Sequence, residues 1–263
     1  MSNPMTSPEW PPWVVLHIPH ESTTLPAGVR SRLLLDDENL RNEVIRMTDH
    51  LTGELFTGNA AETTVVRAPV SRLVVDVERF PDDADEPMAS RGMGAVYTTT
   101  SQRTPLRADI SKRERQRLMR DYYHPHHARL ETAVASAIDR YGRCTLIDCH
   151  SFPSVALPYE CADHSRERPD ICIGTDDFHT RSALTDAFVR AFQQAGWRVG
   201  LNDPFRGALV PRSRYRKDAR VEAVMVEINR GLYLRETDAT PLAGFADIAE
   251  RIRGCCRDAL EAC

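Results

Sequence analysis

The stretch CTLIDCH, residues 144–150, decides the fold class of this chain. Its apolar and β-branched residues predict a short buried strand, which runs directly into an aspartate and a histidine. Six further runs have the same character: VVLHI (14–18), TTVVRAPV (63–70), LVVDV (73–77), DICIGT (170–175), WRVGL (197–201) and AVMVEI (223–228). Helical patterns lie between them, at about 28–58, 109–140, 178–196 and 241–262. This alternation predicts an α/β fold in which helices cover both faces of a sheet.

The composition is that of one folded globular domain. The chain has 263 residues, of which 41% are hydrophobic and 27% charged, and its net charge is −4. This balance favours a single domain over 14–263 after a tail over 1–13, and it argues against nucleic acid or an anionic membrane surface as a partner. The N-terminal residues lack a signal-peptide pattern and no run of about 18 apolar residues occurs, so we expect a cytoplasmic protein.

The seven cysteines are expected to be free thiols, because the count is odd and no CxxC pairing occurs. Cys149 lies beside His150 and resembles a nucleophile by position alone. Its place within a strand favours a buried, inert thiol instead.

Two regions between the predicted strands have special features. In the helix predicted over 109–140, Pro125 should cause a break or a kink. The segment 81–107 is rich in Pro, Gly, Asp and Thr and shows no clear helix. A loop of this length in a compact domain is usually functional.

Imidazole and carboxylate side chains follow several predicted strands. His20, Asp148, His150 and Glu227 all fall at or near strand ends, and ligands of open α/β sheets bind outside the carboxyl ends of the strands. Two imidazoles and a carboxylate suit a catalytic Zn²⁺, which keeps one position open for water. The alternative is a set of hydrogen-bonded histidines in strand–helix turns, because gaps this long carry no motif specificity.

The acidic and basic residues that are candidates for the site could also have purely structural roles. Asp49 could cap a helix, worth about 1 kcal/mol. Glu227 ends an apolar strand, where burying a carboxylate without a partner is costly. Arginines near the predicted strands could be solvated surface charges, or could together bind a substrate carboxylate: Arg72, Arg79, Arg107 and Arg230.

Eight segments, in this order along the chain, resemble those of the N-formylglutamate amidohydrolase family. They are LHIPHESTTLP (16–26), MTDHLTGELF (47–56), SRLVVDVERFPDD (71–83), GMGAVYT (92–98), LIDCHSFPS (146–154), PDICIGT (169–175), NDPFRGALVP (202–211) and VMVEINRGLYL (224–234). The resemblance implies a single domain like that of the zinc carboxypeptidases, with a mixed central sheet flanked by helices and one catalytic zinc ion.

The resemblance also implies residue roles. His20 and His150 match metal-binding histidines, and Glu227 matches the carboxylate that activates water. Arg79 resembles the arginine that holds a substrate carboxylate and Arg72 the one that polarises the scissile carbonyl. Further substrate contacts are expected from Arg107, Arg230 and Asn202.

Two departures from the related patterns leave the details open. Carboxypeptidases have a glutamate three residues after the first histidine, whereas this chain has Thr23, so the third metal ligand is expected to be Asp49, with Glu21 as the alternative. Glu78 stands where the family usually has asparagine, and this extra negative charge is expected to alter which acid binds.

The predicted function is zinc-dependent hydrolysis of the N-acyl amide, most simply N-formyl, of an acidic amino acid. The substrate is therefore a small molecule, an N-acyl amino acid. Ser151 beside His150 would allow acyl-enzyme chemistry, but no third group is placed to orient such a pair. A different class of function is a catalytically silent relative that binds an acidic metabolite as a sensor or scaffold.

Overall fold

A six-stranded mixed sheet forms the centre of the computed structural model, which describes residues 10–58, 63–160 and 167–263. The strand order is β2-β1-β3-β6-β4-β5, and all neighbours are parallel except β4 and β6. The strands are β1 (Val14–Ile18), β2 (Thr64–Arg67), β3 (Cys144–Phe152), β4 (Ile171–Gly174), β5 (Val199–Leu201) and β6 (Val221–Asn229). A small antiparallel pair follows, β7 (Leu234–Arg235) with β8 (Thr240–Pro241).

Helices lie on both faces of the sheet, as the sequence predicts. They are α1 (Ala27–Arg30), α2 (Asp37–Met47), α3 (Thr52–Thr57), α4 (Lys112–Leu118), α5 (His124–Tyr141), α6 (Ser182–Gln194) and α7 (Phe245–Glu261). Helices α3, α6 and α7 cover one face and α5 covers the other. The predicted α/β class with a mixed central sheet flanked by helices is confirmed.

Alternation along the central strands separates the two faces. On β3, Ile147 and Cys149 join the core beneath α6 and α7, whereas Leu146 joins the smaller core beneath α5. Because successive side chains of a strand point to opposite faces, Asp148 and His150 lie on the α5 face. Cys149 is fully buried and burial raises the pKa of its thiol, which agrees with the predicted inert role.

The strand predicted at LVVDV (73–77) is wrong. The segment follows a series of turns in which Val74 N–H donates to Ser71 O at 2.8 Å and Asp76 N–H donates to Ala95 O at 2.8 Å. Its apolar side chains are buried against loops and α4 rather than against neighbouring strands. Burial alone gave this segment the apolar run that was read as a strand. The strand predicted over 63–70 is also shorter, ending at Arg67.

The helices lie where the sequence predicts them, but two of the predicted helices are divided into shorter segments. The region 28–58 holds three short helices, and the side chain of Asp36 caps the second by accepting from Asn39 N–H at 2.8 Å. In the region 109–140, a wider helical turn over Met119–Tyr123 joins α4 to α5. Pro125 causes no break: the helix continues through it, and the wider turn over Met119–Tyr123 directly precedes the position where proline lacks an N–H.

The loop over 81–107 contains one 3₁₀ turn, Pro87–Arg91, and no α-helix, as expected. Of the tail predicted over 1–13, residues 1–9 lie outside the described residues. Trp10 is buried and its indole N–H donates to Phe56 O at 3.0 Å. Six cysteines carry free thiols, and Cys161 lies outside the described residues. Within the described ranges, no helix is long and apolar enough to cross a membrane.

Candidate active site

Strand register brings four polar side chains onto the α5 face of the sheet near its carboxyl edge. His17 on β1 stands opposite Asp148 on β3, and His150 on β3 stands opposite Glu227 on β6. All four are buried. Parallel neighbours with matched register place these side chains side by side, so the sheet itself builds half of the site.

His20, Asp49 and His150 form a compact cluster. Asp49 Oδ2 lies 3.0 Å from His150 Nδ1 and 3.6 Å from His20 Nδ1. His20 follows β1 after a proline turn, and its carbonyl accepts from the Asp49 N–H at 3.0 Å, which fixes the segment after α2 against β1. The structure therefore brings together all three residues predicted as metal ligands.

The hydrogen bonds around this cluster fit a metal site. His20 Nε2 is bonded to Asp76 Oδ1 at 2.8 Å, while its buried Nδ1 has no hydrogen-bond partner and faces Asp49. Metal-binding histidines commonly bond a carboxylate through the nitrogen that does not bind the metal. Two imidazole nitrogens and one carboxylate oxygen are also a donor set of catalytic zinc sites.

Asp49 is held in its ionised form. Arg230 donates to Asp49 Oδ1 at 2.8 Å, and the Ser151 N–H donates to Oδ2 at 3.3 Å. Burial opposes the charge, but the hydrogen bond with His150 and the nearby His20 and Arg230 outweigh it and hold the pKa of Asp49 well below its usual range. Asp49 caps no helix, because α3 begins at Thr52 after Leu51.

The alternative ligand, Glu21, points elsewhere. Its carboxylate accepts from the Gly53 N–H at 2.7 Å and forms an ion pair with Arg67. Glu21 thus stabilises the start of α3 and does not reach the cluster.

Glu227 is the carboxylate best placed for proton transfer. Its side chain lines the cavity, only 7% of the residue is exposed, and Oε2 has no hydrogen-bond partner. Burial raises the pKa of Glu227 to about 8. A buried carboxyl with an unpaired oxygen beside two imidazoles is typical of a general acid–base group.

Asp76 organises the loop side of the cavity. Its Oδ2 accepts from Arg72 Nη2 at 2.8 Å and from the Tyr97 hydroxyl, while its Oδ1 binds His20. Burial disfavours the charge of Asp76, but Arg72 and His20 outweigh it and keep the pKa of Asp76 well below its usual range. Arg79 lines the same cavity, and its buried Nε has no hydrogen-bond partner.

The structure separates the remaining predicted substrate contacts. Arg230 borders the cavity but uses its donors on Asp49, Ser151 and Arg46 O, so it positions Asp49. Arg107 lies outside the cavity and donates to Leu73 O. Asn202 also lies outside, where its side chain bonds the Thr175 backbone at 2.9 Å and hydroxyl at 2.8 Å. Neither residue faces the cluster.

The cavity at this edge has a volume of about 560 Å³ and mixed walls. Its floor is the histidine–carboxylate cluster with Glu227, and its rim carries cationic and apolar groups, among them Arg72, Arg79, Arg212, Phe152, Tyr159 and Leu209. A floor of metal-ligand type below a cationic rim suits a small anionic molecule.

A second histidine–carboxylate cluster, His17 with Glu78 and Asp148, lies beside the first. His17 Nδ1 is 2.8 Å from Asp148 Oδ1 and 3.2 Å from Glu78 Oε1. Burial opposes protonation, but the adjacent carboxylates of Asp148 and Glu78 outweigh it and raise the pKa of His17 to about 9. No motif in the sequence predicts this cluster; the one signal is His17 itself, an unusual residue within a buried strand such as VVLHI.

Acyl-enzyme chemistry finds no support in the geometry. Ser151 Oγ accepts from Arg230 Nε at 3.1 Å. In the part of the chain that the structure describes, no hydrogen bond joins this hydroxyl to an imidazole.

The chain resembles known proteins in sequence and in structure. The family model of N-formylglutamate amidohydrolase matches residues 13–234. The structure is similar to the crystal structure of an N-formylglutamate amidohydrolase from Ralstonia eutropha JMP134, with a TM-score of 0.82 and 24% identity over 95% of this chain and 94% of that one. It is also similar to a gene product of Agrobacterium tumefaciens, with a TM-score of 0.69 and 23% identity over 95% and 90% of the two chains. Curated protein sequences gave no match.

Proposed function

Because this chain belongs to the N-formylglutamate amidohydrolase family, we propose that it hydrolyses the N-formyl amide of an acidic amino acid with the help of a zinc ion held by His20, Asp49 and His150. The observation that carries the proposal is the meeting of this cluster with Glu227 on the floor of one cavity. A zinc ion in such a donor set supplies Lewis acidity to the scissile carbonyl and to the attacking water.

Glu227 acts as the general base and then as the general acid. It takes a proton from the attacking water and gives it to the departing amine, which leaves its own protonation unchanged at the end of the cycle. Its unpaired Oε2 and its position opposite His150 support this role. With a pKa of about 8 without a bound metal ion, Glu227 needs the added positive charge of such an ion to be ionised at neutral pH.

Two arginines are assigned to the substrate. Arg72 is fixed through Nε and Nη2 by Asp76 and Tyr97, so its guanidinium is oriented in advance to stabilise the negative charge that develops on the carbonyl oxygen. Arg79 lies 3.7 Å from Asp76 but its Nε makes no hydrogen bond, and it is assigned to a substrate carboxylate.

The cell compartment is part of the same proposal. Six free thiols, most of them buried, suit a reducing compartment such as the cytoplasm.

A matched set of amides tests the proposal. We expect hydrolysis of N-formyl-L-glutamate, slower hydrolysis of its N-acetyl and N-succinyl counterparts, and a kcat/KM for N-formyl-L-glutamine lower by about 10–100-fold, since the neutral side chain loses a charged contact. A higher rate with N-formyl-L-glutamine would contradict the acidic specificity. Tight binding of these compounds with no turnover at any metal content would favour a silent binding protein.

A further inference from the structure

We propose that His17, Glu78 and Asp148 form a second binding site for a divalent transition-metal ion, next to the His20–Asp49–His150 cluster. The site would hold the ion through one imidazole nitrogen and two carboxylate groups. This second site does not depend on the proposed hydrolysis, because metal binding at the cluster can be measured without a substrate.

The distances within the second cluster are close to those of a ligand set, although the shorter one is also that of a hydrogen bond. Metal–ligand bonds of about 2.0–2.2 Å place neighbouring ligand atoms about 3.0–3.5 Å apart. His17 Nδ1 lies 2.8 Å from Asp148 Oδ1 and 3.2 Å from Glu78 Oε1. The first cluster, with separations of 3.0 and 3.6 Å, is no more compact.

An unpartnered buried atom points into the second cluster. His150 Nε2 lies 3.2 Å from Asp148 Oδ1 and 3.6 Å from Glu78 Oε2, yet it makes no hydrogen bond. The side chain of His150 is only 5% exposed. Glu78 Oε1 is likewise buried without a hydrogen bond. The hydrogen bond between His17 and Asp148 therefore leaves two buried polar atoms of this cluster unsatisfied, and such atoms are consistent with a missing ion or water.

The charge of the second cluster also calls for a cation. Glu78 and Asp148 form no ion pair with arginine or lysine anywhere in the described ranges of the chain. Two buried carboxylates face His17 and His150, so the cluster keeps a net negative charge unless both imidazoles are protonated, and such a charge is costly in a buried place. A divalent ion would replace the His17 Nδ1 proton, which passes to solvent, and would balance both carboxylates.

Outer hydrogen bonds already fix two of the three ligands. Asp148 Oδ2 accepts from the Leu209 N–H at 2.9 Å, and His17 Nε2 lies 2.8 Å from His126 Nε2 on α5. Such partners orient metal ligands. Glu78 and Asp148 both line the cavity, so an ion has a path from solvent. An imidazole with two carboxylates suits Zn²⁺, Mn²⁺ or Co²⁺.

Metal stoichiometry tests the proposal directly. The wild-type protein, stripped of metal and dialysed against Co²⁺ or Zn²⁺, is expected to bind two equivalents. Glu78→Gln should bind one equivalent tightly, with the affinity for the second reduced by more than about 100-fold, beyond the about 10–100-fold effect of a residue outside the ligand set. His127→Gln is the matched control, because His127 bonds Val77 O next to Glu78 without joining the cluster, and it should bind two.

The outcomes separate this inference from the proposed function. One equivalent in the wild type, lost in His150→Ala and kept in Glu78→Gln, would overturn the second site and leave the hydrolase proposal standing. Two equivalents of unchanged affinity in Glu78→Gln would also overturn it. Should Glu78→Gln fail to fold, the visible spectrum of wild-type protein titrated with Co²⁺ decides: two successive phases support the second site, and saturation at one equivalent contradicts it.

Discussion

The strand side and the loop side of the cavity are built in different ways. On the strand side, His150 and Glu227 occupy partnered positions of β3 and β6, so backbone hydrogen bonds of the sheet set their separation. On the loop side, Arg72, Asp76 and Arg79 lie in consecutive turns and are held by polar side-chain contacts, with Asp76 at the centre. A strand-borne group keeps its place when one neighbour changes, whereas a loop-borne group depends on its partners.

The two sides of the cavity also carry groups with different proposed roles. The strand side carries the proton-transfer carboxyl and one histidine of the first cluster, and these groups need fixed geometry for chemistry. The loop side supplies the cationic groups assigned to the substrate. We therefore expect changes on the strand side to lower kcat and a change of Arg79 on the loop side to raise KM, whereas Arg72, assigned to the developing oxyanion, should affect kcat.

The largest effect is expected from Glu227→Gln. Glutamine keeps the shape but cannot accept the proton, so kcat should fall by about 10²–10⁴-fold while metal and substrate remain bound. Steady-state kinetics on N-formyl-L-glutamate, with metal content measured on the same sample, checks this. A rate within a few-fold of wild type would assign proton transfer to another carboxylate.

Asp49→Ala should have the next largest effect, on metal affinity. The substitution removes a proposed ligand carboxylate and leaves the buried Arg230 without its ion-pair partner. Zinc binding should weaken by more than about 100-fold, because even residues outside a ligand set contribute about 10–100-fold. Glu21→Ala is the control, because Glu21 bonds Gly53 and Arg67 and should leave zinc affinity within a few-fold. Metal loss in the Glu21 variant alone would exchange the two assignments.

On the loop side, Arg79→Met should raise KM for N-formyl-L-glutamate by about 10–100-fold and change kcat little, because a charged hydrogen bond contributes about 1.5–3 kcal/mol to binding. Arg113→Met, in an exposed position on α4, is the matched control and should leave KM unchanged. An unaltered KM in Arg79→Met would place the substrate carboxylate elsewhere on the rim.

The smallest effect concerns stability and pH. Burial lowers the pKa of His127 from 6.5 to about 4, so the folded protein holds this imidazole neutral while the unfolded chain protonates it. The stabilisation is complete above pH 6.5 and is lost as the pH falls toward 4, at about 1.4 kcal/mol per pH unit for one proton. His127→Gln should therefore flatten the decline in the free energy of unfolding between pH 6.5 and 4.5. Urea denaturation across this range measures it, and an unchanged slope would contradict the assignment.

Sequence reasoning reached the strand side more completely than the loop side. His150 and Glu227 end apolar runs that truly form strands, so the rule that ligands lie at strand ends applied to them. His20 and Asp49 follow short turns close to a strand or a helix, and their placement was also anticipated. These positions follow from local patterns of burial and polarity.

The loop side of the site and the orientation of several side chains depend on long-range contacts that no local sequence pattern predicts. The run over 73–77 was read as a strand because loop burial and strand burial give the same apolar signal. Asp76 within this run and Glu78 directly after it are therefore misplaced by the strand prediction. Arg107 and Asn202 were expected near the substrate, but the direction of a long or amide side chain is fixed by distant partners, here Leu73 O and Thr175.

The dependence of amide hydrolysis on metal tests the central claim most directly. The protein is stripped by chelation, its rate on N-formyl-L-glutamate is measured, and zinc is then restored stepwise for the wild type and for His150→Ala. The wild type should lose nearly all activity on stripping and regain it as zinc fills the His20–Asp49–His150 cluster, whereas His150→Ala should stay inactive. Full activity of the metal-free wild type, or recovery of the His150→Ala variant at the same zinc concentration, would contradict the account.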